Sequence, residues 1–197
     1  MEITVTAESV SAGRSTKLAI RDAAVELFGS KGFEQTSLRE VADAVGITKA
    51  SLYYHYPSKL DLLVAIIDPI VAHMRDVAAD IETVPHTPEG VRTVLTNYIR
   101  GILAHRDVGA MCVRDTVAIV NAMADRNPDL FQFSRALGDW LAGPNPSAEA
   151  KLRASAALQV LEVALFSGEL APDADEELIE STLLDAATCV LTACGTR

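Results

Sequence analysis

The sequence predicts an all-α protein with a helix-turn-helix near its N-terminus, and three observations support this prediction. Apolar residues recur at the spacing of amphipathic helices through most of the 197 residues. No stretch shows the sustained alternation of a β-strand. Three helix starts follow one another within about twenty residues, which is the spacing of a helix-turn-helix. We therefore expect about nine helices.

The predicted first helix spans residues 16–30. Its apolar stripe consists of Ile20, Ala23, Ala24, Leu27 and Phe28. Gly32 follows, where a helix C-terminus favours glycine. Residues 1–12 carry no periodic signal, and we expect them to form a flexible N-terminal arm.

The next two helices are predicted from their capping residues. Ser37 and Glu40 have the S-x-x-E spacing of a capping box, so a helix is expected to begin there. Gly46 supplies the turn, and Thr48 is the expected N-cap of a third helix. A fourth helix is predicted to start at Ser58.

The rest of the chain is predicted to form longer helices separated by proline-containing links. A helix over 58–82 is interrupted by Pro69, which either kinks it or splits it into two. The later helices are expected at about 89–105, 108–125, 128–141, 147–168 and 174–193.

Charge divides the chain into two parts. Residues 13–60 hold seven basic and five acidic residues, whereas residues 61–197 hold ten basic and twenty acidic residues. Such asymmetry indicates two domains with different partners, and we place their boundary at residues 60 and 61.

No secretory signal and no apolar run of membrane-spanning length occurs, so we expect a cytoplasmic protein without a membrane partner. The three cysteines, Cys112, Cys189 and Cys194, lack metal-ligand spacing and are expected to be small apolar core residues. We predict no metal site and no cofactor.

The third helix, 48–56, gathers three of the four tyrosines. Helical spacing puts Leu52 and Tyr56 on one face, which we expect to be buried. The opposite face carries Lys49, Ala50, Ser51, Tyr53, Tyr54 and His55. These side chains offer hydroxyl, imidazole and ammonium groups that bind phosphate oxygens or base edges. The alternative, tyrosines that fill a core, does not account for three aromatic positions this close on one helix.

Two segments resemble the TetR family of bacterial transcriptional regulators. TSLREVADAVGITKASLYYHYPSKLDLL, residues 36–63, is similar to that family's signature, and AIRDAAVELFGSKGFEQTS, residues 19–37, is similar to its first helix and Gly-Phe turn. The resemblance covers about 50 residues. The remainder of the chain is similar only in its helical layout.

The resemblance implies a homodimer that binds a pseudo-palindromic operator on double-stranded DNA. The first three helices bind DNA, the fourth connects, and the remainder binds a small-molecule effector and dimerises. Repression released by the effector is the family's usual mode, and activation stays open. By matched position, the residues facing DNA phosphates are Thr36, Ser37, Thr48 and Lys59.

By the same analogy, the effector pocket is expected among helices four to eight. Its candidate lining residues are His73, Cys112, Thr116, Met123, Phe131, Trp140, Gln159, Glu162 and Phe166. The last two helices are expected to form the dimer interface through Leu158, Leu161, Leu165, Leu183, Leu184, Val190 and Leu191. An intramolecular core is the alternative for that second set.

The sequence has two alternative readings of its function. The sequence holds no G-x-S-x-G, H-E-x-x-H, P-loop or G-x-G-x-x-G motif, so an enzyme is not expected. The polar cluster His105-Arg106-Asp107 falls at a predicted helix end, where a cation interacts favourably with the helix dipole. A DNA-binding protein of this family that has lost its effector is the other alternative.

Overall fold

The computed structural model describes residues 7–124 and 130–192, and no β-strand occurs within those ranges. The helices are α1 (Ala7–Lys31), α2 (Leu38–Val45), α3 (Lys49–His55), α4 (Lys59–Asp80), α5 (Pro88–Leu103), α6 (Gly109–Arg114), α7 (Thr116–Ala124), α8 (Leu130–Ala142), α9 (Ala148–Glu162), α10 (Ser167–Leu170) and α11 (Glu176–Thr192). One residue separates α6 from α7, and a 3-10 turn joins α9 to α10. If each of these pairs is counted as one helix, the described residues form nine helices. The all-α prediction is confirmed.

The chain forms two compact units. The N-terminal unit comprises the residues up to Ile67 together with Ala110–Ala122, and the C-terminal unit comprises Asp68–Gly109 and the residues from Met123 onward. The boundary therefore lies seven residues beyond the expected one. The inclusion of α6 and most of α7 in the N-terminal unit was not predicted, because contacts between distant segments leave no local sequence signal.

The core of the N-terminal unit lies between α1, α2, α3 and the start of α4. Ile20, Ala24 and Phe28 of α1 are fully buried, as their helical spacing predicts. Leu52 of α3 and Leu63 of α4 are also fully buried. Burying a leucine or phenylalanine side chain contributes about 1.5–3 kcal/mol, so these contacts hold the short helices in place.

The first helix is longer than predicted. It begins at Ala7, so residues 7–12 of the expected flexible arm are helical. Residues 1–6 lie outside the described part of the chain. Gly32 ends the helix as predicted, with a φ of 100° that favours glycine and its N–H donated to the Phe28 carbonyl at 2.9 Å.

The C-terminal unit has an apolar core built by α5, α8, α9 and α11. Leu95 and Ile99 of α5 and Leu161 of α9 are fully buried in it. Hydroxyl N-caps start two of its helices: Thr87 accepts from the Gly90 N–H, and Ser147 accepts from the Ala150 N–H. Between α9 and α11 the apolar faces pack directly on each other.

The fourth helix is continuous through Pro69, so of the two predicted alternatives the split does not occur. Proline has no N–H, and the carbonyl four residues earlier, on Ala65, therefore has no main-chain donor in the helix. No helix in the described ranges is long and apolar enough to cross a membrane. Within the same ranges, no group of three or more histidine, cysteine or acidic side chains could hold a metal ion.

Candidate functional sites

The third helix is held by one apolar face. Thr48 caps its N-terminus by accepting the Ser51 N–H at 3.1 Å. Leu52 is fully buried, and Tyr56, which follows the last turn, is 5% exposed. Burial raises the pKa of the Tyr56 hydroxyl. A helix of seven residues is marginal on its own, so these contacts determine its position.

The opposite face of α3 is open to solvent. Tyr54 is 86% exposed and Tyr53 is 42% exposed. Lys49 and Ala50 are exposed as well. Ser51 and His55 are half-buried at the edges of this face. The predicted division of the helix into a buried and an exposed face is confirmed, whereas contact with DNA stays a prediction.

The exposed side chains of α3 are arranged in pairs. The Lys49 ammonium lies 5.4 Å from the centre of the Tyr53 ring, within the range of a cation–π contact. The Tyr54 and His55 rings meet edge to face, with centroids 5.5 Å apart. The surface thus combines a cation, hydroxyl groups and aromatic edges, which are the groups that contact phosphates and base edges.

The capping box of α2 is present as predicted. Ser37 Oγ accepts the Glu40 N–H at 3.3 Å, and Glu40 Oε2 accepts the Ser37 N–H at 2.8 Å. Lys31 Nζ donates to Glu40 Oε1 at 2.9 Å. These bonds, with that of Lys31 the strongest, lower the Glu40 pKa to about 2. Ser37 and Thr48 are both exposed, as a contact with phosphate requires.

Thr36 does not face DNA phosphates, contrary to prediction. Its side chain is 2% exposed. Its hydroxyl donates toward the Gly32 carbonyl at 2.8 Å and lies 3.2 Å from the Leu27 carbonyl. A hydroxyl has a single proton to donate, and here the C-terminal carbonyls of α1 take it. Thr36 therefore stabilises the turn between α1 and α2.

Lys59 also has a different role from the predicted phosphate contact. Its ammonium donates to the carbonyls of Phe33, Glu34 and Thr36 at 2.8, 3.3 and 3.1 Å. It also lies 4.4 Å from the centre of the Phe33 ring. An ammonium has three protons, and all three point at main-chain carbonyls. Lys59 therefore joins the start of α4 to the turn between α1 and α2.

A shallow cavity of about 460 Å³ opens beside α3. Its lining includes Gln35, Ser37, Tyr53, Ser58 and Lys59. Gln35 and Ser58 were not among the predicted DNA-facing residues. Ser58 was predicted only as the start of the fourth helix, and Gln35 has no sequence signal beyond its position next to Thr36.

The predicted dimer residues divide between the core and its edge. Leu158, Leu161 and Leu184 are buried within the C-terminal unit, which corrects their assignment to a dimer interface. The others, Leu165, Leu183, Val190 and Leu191, are half-buried and pack against the same core. Other apolar residues of these helices are exposed: Leu152 is 72% exposed and Leu178 is 56% exposed. The intramolecular alternative is thus correct for the buried leucines.

The predicted effector residues are divided between the two units, and their role stays a prediction. Cys112 and Thr116 belong to the N-terminal unit, whereas His73, Trp140 and Phe166 are half-buried in the C-terminal unit. The side chains of Met123 and Phe131 lie outside the described residues. His73 Nε2 lies 2.8 Å from the Asn97 carbonyl, and a Cβ on Gly101 would overlap its ring. A glycine at position 101 is therefore what lets α4 and α5 approach so closely.

Gln159 and Glu162 do meet, beside Tyr98. The buried Tyr98 hydroxyl donates to Glu162 Oε1 at 3.3 Å, and Gln159 Nε2 donates to Glu162 Oε2 at 2.7 Å. Burial raises the Glu162 pKa, against the effect of these two donors. Burial and the neighbouring carboxylate raise the Tyr98 pKa as well.

The C-terminal unit also has a cavity of about 900 Å³, which none of the predicted effector residues lines. It lies among α5, α8, α9 and α11, with an apolar floor that includes Leu141 and Leu191. The imidazole of His86 and the guanidinium groups of Arg92 and Arg153 lie at its rim. Arg153 donates to Glu149 at 2.8 Å and to the Val190 carbonyl at 3.0 Å. Glu149 also lines the cavity, and Arg92 lies 3.3 Å from Asp185, so the rim carries charges of both signs and suits a partly apolar ligand with a polar end.

Comparison with known proteins gives a local sequence match and a match of the whole fold. Residues 20–66 match the family described as "Bacterial regulatory proteins, tetR family". The repressor KstR2 of Rhodococcus jostii is 36% identical over 75 residues, which cover 36% of this chain and 36% of that protein. The sequence match therefore spans about a third of that relative.

Solved structures are similar over nearly the full length. AmtR of Mycobacterium smegmatis has a TM-score of 0.67 at 22% identity, covering 98% of this chain and 90% of its own. AibR, whose crystal structure is a complex with isovaleryl coenzyme A and operator DNA, has a TM-score of 0.65 at 20% identity. That similarity covers 89% of this chain and 97% of AibR. At these identities the likeness establishes the fold.

Proposed function

We propose that the chain is a transcriptional regulator of the TetR family that represses transcription by binding operator DNA as a homodimer; the match of residues 20–66 to that family and the likeness of the fold support the proposal. The observation that carries the proposal is the exposed face of α3, with Tyr54 86% exposed beside Tyr53 and Lys49. The matched family is described as regulatory proteins, which supports a regulator over an enzyme.

The geometry of α3 supports a role as the recognition helix. A helix enters the major groove of B-DNA with its N-terminal residues near base edges. Lys49 and Ala50 begin α3, and Ala50 is small enough for close approach to the groove floor. Tyr53 and Tyr54 follow one turn later, within reach of bases or phosphates. Ser37 and Thr48, both exposed at helix starts, are the remaining candidates for phosphate contacts.

A homodimer is proposed through the exposed side of α9 and α11. Leu152 and Ala156 are exposed on α9, while Leu178 and Ala186 are exposed on α11. These apolar and small side chains follow helical spacing, and α9 and α11 already pack side by side. Adjacent exposed apolar stripes of this kind mark interaction surfaces. Two copies would present their α3 helices to major grooves about 34–36 Å apart.

Release by a small-molecule effector is the final part of the proposal. An effector releases DNA only if it binds the DNA-free conformation more tightly than the bound one. The cavity of about 900 Å³ has the size of ordinary ligand sites, and the arginine and glutamate side chains at its rim favour an effector with a polar group. AibR, which shares this fold, binds isovaleryl coenzyme A as well as operator DNA.

In vitro selection of bound DNA tests the proposal. The full chain should enrich duplexes that contain a pseudo-palindrome with half-sites one helical turn apart. Tyr54→Ala should reduce that enrichment, whereas Asp139→Ala, at an exposed residue of α8 in the other unit, should keep it. A chain that enriches no sequence over random duplexes would refute specific operator binding.

The alternative, a regulator without an effector, is tested separately. Thermal shift against a set of organic acids and acyl thioesters should reveal ligands that raise the melting temperature. The variant Arg92→Ala with Arg153→Ala should lose that stabilisation. If no compound shifts the wild-type melting temperature, the effector part fails while the DNA-binding part stands.

A further inference from the structure

An ion pair lies at the rim of the cavity of about 900 Å³, which is formed entirely within the C-terminal unit. Glu149 and Arg153 both line the cavity and lie one turn apart on α9. The Nε and Nη2 groups of Arg153 donate to Glu149 Oε1 at 3.1 and 2.8 Å. Its Nη1 group donates to the Val190 carbonyl at 3.0 Å. The last bond fixes the guanidinium between α9 and α11.

This ion pair keeps hydrogen-bonding capacity of both signs for a ligand. A guanidinium has five N–H groups, and the bonds to described residues use three of them on Arg153. Both bonds to Glu149 end on Oε1, so among the described residues Oε2 stays open to a cationic donor. The side chains of Arg153 and Glu149 are 28% and 68% exposed, so a ligand can reach both.

The ends of four helices add partial charges of both signs around the cavity. α5 and α9 begin there, and their N-caps Thr87 and Ser147 are lining residues. α8 and α11 contribute the residues at their C-terminal ends, Ala142 and Thr192. A helix carries partial positive charge at its N-terminus and partial negative charge at its C-terminus. This arrangement favours a ligand that has one anionic and one cationic group.

The floor of the cavity is apolar. Leu141 is 6% exposed, and Val91 and Leu191 are half-buried beside it. Covering these side chains with a hydrocarbon group removes apolar surface from water, which favours binding. A simple carboxylic acid would cover the floor but bring no cationic donor to Glu149. A simple amine would bring no anionic acceptor to Arg153.

We propose that this cavity binds a zwitterionic α-amino acid with an apolar side chain. The carboxylate of the ligand accepts from Arg153, its ammonium donates to Glu149, and its side chain covers the apolar floor. An α-amino acid carries its two charged groups on one carbon atom, which suits two protein groups that are themselves in contact. The role of such a ligand as the effector rests on the proposed function.

The first test is calorimetric titration of the full chain in the absence of DNA. Leucine and phenylalanine are the zwitterionic probes. Isocaproate and hydrocinnamate are their analogues without the ammonium group, and isoamylamine and phenethylamine are those without the carboxylate. We expect leucine or phenylalanine to bind roughly tenfold more tightly than either of its analogues, because each analogue leaves one charged group of the rim without a partner. Equal affinity for an amino acid and its analogues, or no binding of either amino acid, would overturn the inference.

The second test assigns the two charged contacts. Glu149→Gln should weaken amino-acid binding by roughly tenfold without weakening that of the carboxylate analogue. Arg153→Gln should weaken amino-acid binding without weakening that of the amine analogue. Glu169→Gln and Arg135→Gln, at exposed residues of the same unit outside the cavity lining, are the matched controls and should change neither. Unchanged amino-acid affinity in Glu149→Gln would overturn the inference even if Arg153→Gln, which also loses the bond to Val190, failed to fold.

A third measurement separates this inference from the proposed function. Operator affinity is measured by fluorescence anisotropy with and without a saturating concentration of the amino acid that binds. If the amino acid binds but leaves operator affinity unchanged, the site stands and its role as the effector site fails. If neither amino acid binds while another compound raises the melting temperature, the inference is overturned and the proposed function stands.

Discussion

The two units are stabilised in different ways. In the N-terminal unit, polar side chains bond the main chain of a turn: Thr36, Lys59 and Asp115 all contact residues 32–36. The C-terminal unit relies mainly on apolar packing of α5, α9 and α11. Hydrogen bonds fix direction as well as distance, whereas apolar contacts tolerate small shifts. A surface proposed to match DNA and a domain proposed to adapt to a ligand would need these different properties.

The largest expected effect tests whether the units are independently stable. Leu52→Ala in α3 and Leu161→Ala in α9 each remove a fully buried side chain, at a cost of about 2–5 kcal/mol. If the units unfold separately, Leu52→Ala should lower the urea midpoint of one transition only, and Leu161→Ala that of the other only. Tyr54 fluorescence and amide exchange would follow the transitions. If each variant lowered the midpoints of both transitions, the chain would unfold as a single cooperative unit, and the two units would not differ in stability.

Next in size is Lys59→Met, which keeps much of the side chain's length but removes its three donated hydrogen bonds. We expect a loss of about 2 kcal/mol in the free energy of unfolding and weaker binding to all DNA sequences. Lys49→Met, on the exposed face of α3, should leave stability unchanged and reduce DNA binding. Equal stability of the two variants by urea denaturation would contradict the structural role of Lys59.

A smaller effect is expected for Tyr54→Ala. Its ring is 86% exposed, so the free energy of unfolding should change by less than about 0.5 kcal/mol. Binding to the selected operator should weaken by about 1 kcal/mol or more, with little change on random duplexes. Fluorescence anisotropy with both duplexes measures this difference. Equal losses on the two duplexes would assign Tyr54 to phosphate contact instead of base recognition.

The smallest effect concerns pH, and its sign is opposite in the two units. The Glu40 pKa is lowered from 4.5 to about 2, so its stabilising contribution is present above pH 4.5 and lost as pH falls toward 2. Burial raises the Glu162 pKa above 4.5, so that group favours folding most at lower pH and less as pH rises. We would measure the urea midpoint as a function of pH. In Glu40→Gln, the part of the decrease in stability below pH 4.5 that is due to Glu40 should be absent. In Glu162→Gln, the decrease in stability as pH rises should be smaller. Parallel curves of urea midpoint against pH for the wild type and both variants would contradict these roles of Glu40 and Glu162.

Local signals predicted the elements that carry the candidate DNA surface. The S-x-x-E spacing of Ser37 and Glu40 and the hydroxyl of Thr48 act within one helical turn, so they identify α2 and α3 without knowledge of the fold. The buried position of Leu52 followed from the same short-range geometry. Since helix periodicity needs only a few residues, the all-α class was predictable as well.

Roles that depend on distant partners were not predictable. Lys59 donates to carbonyls 23–26 residues away, and Asp115 accepts from a residue 82 positions away, so neighbouring residues give no indication of either bond. The assignment of Leu158, Leu161 and Leu184 to a dimer interface was wrong for a related reason. Apolar residues occupy more than one face of α9, and the pattern alone does not say that Leu158 faces inward while Leu152 faces out.

Pro69 lowers the bending stiffness of the fourth helix at one position. A helix resists bending through its ladder of hydrogen bonds, and at Pro69 one bond of the ladder is missing. The missing bond spans Ala65 to Pro69, and the border between the two units falls inside that interval, at Ile67 and Asp68. A bend in α4 therefore costs least energy within this interval, where one hydrogen bond of the helix is missing.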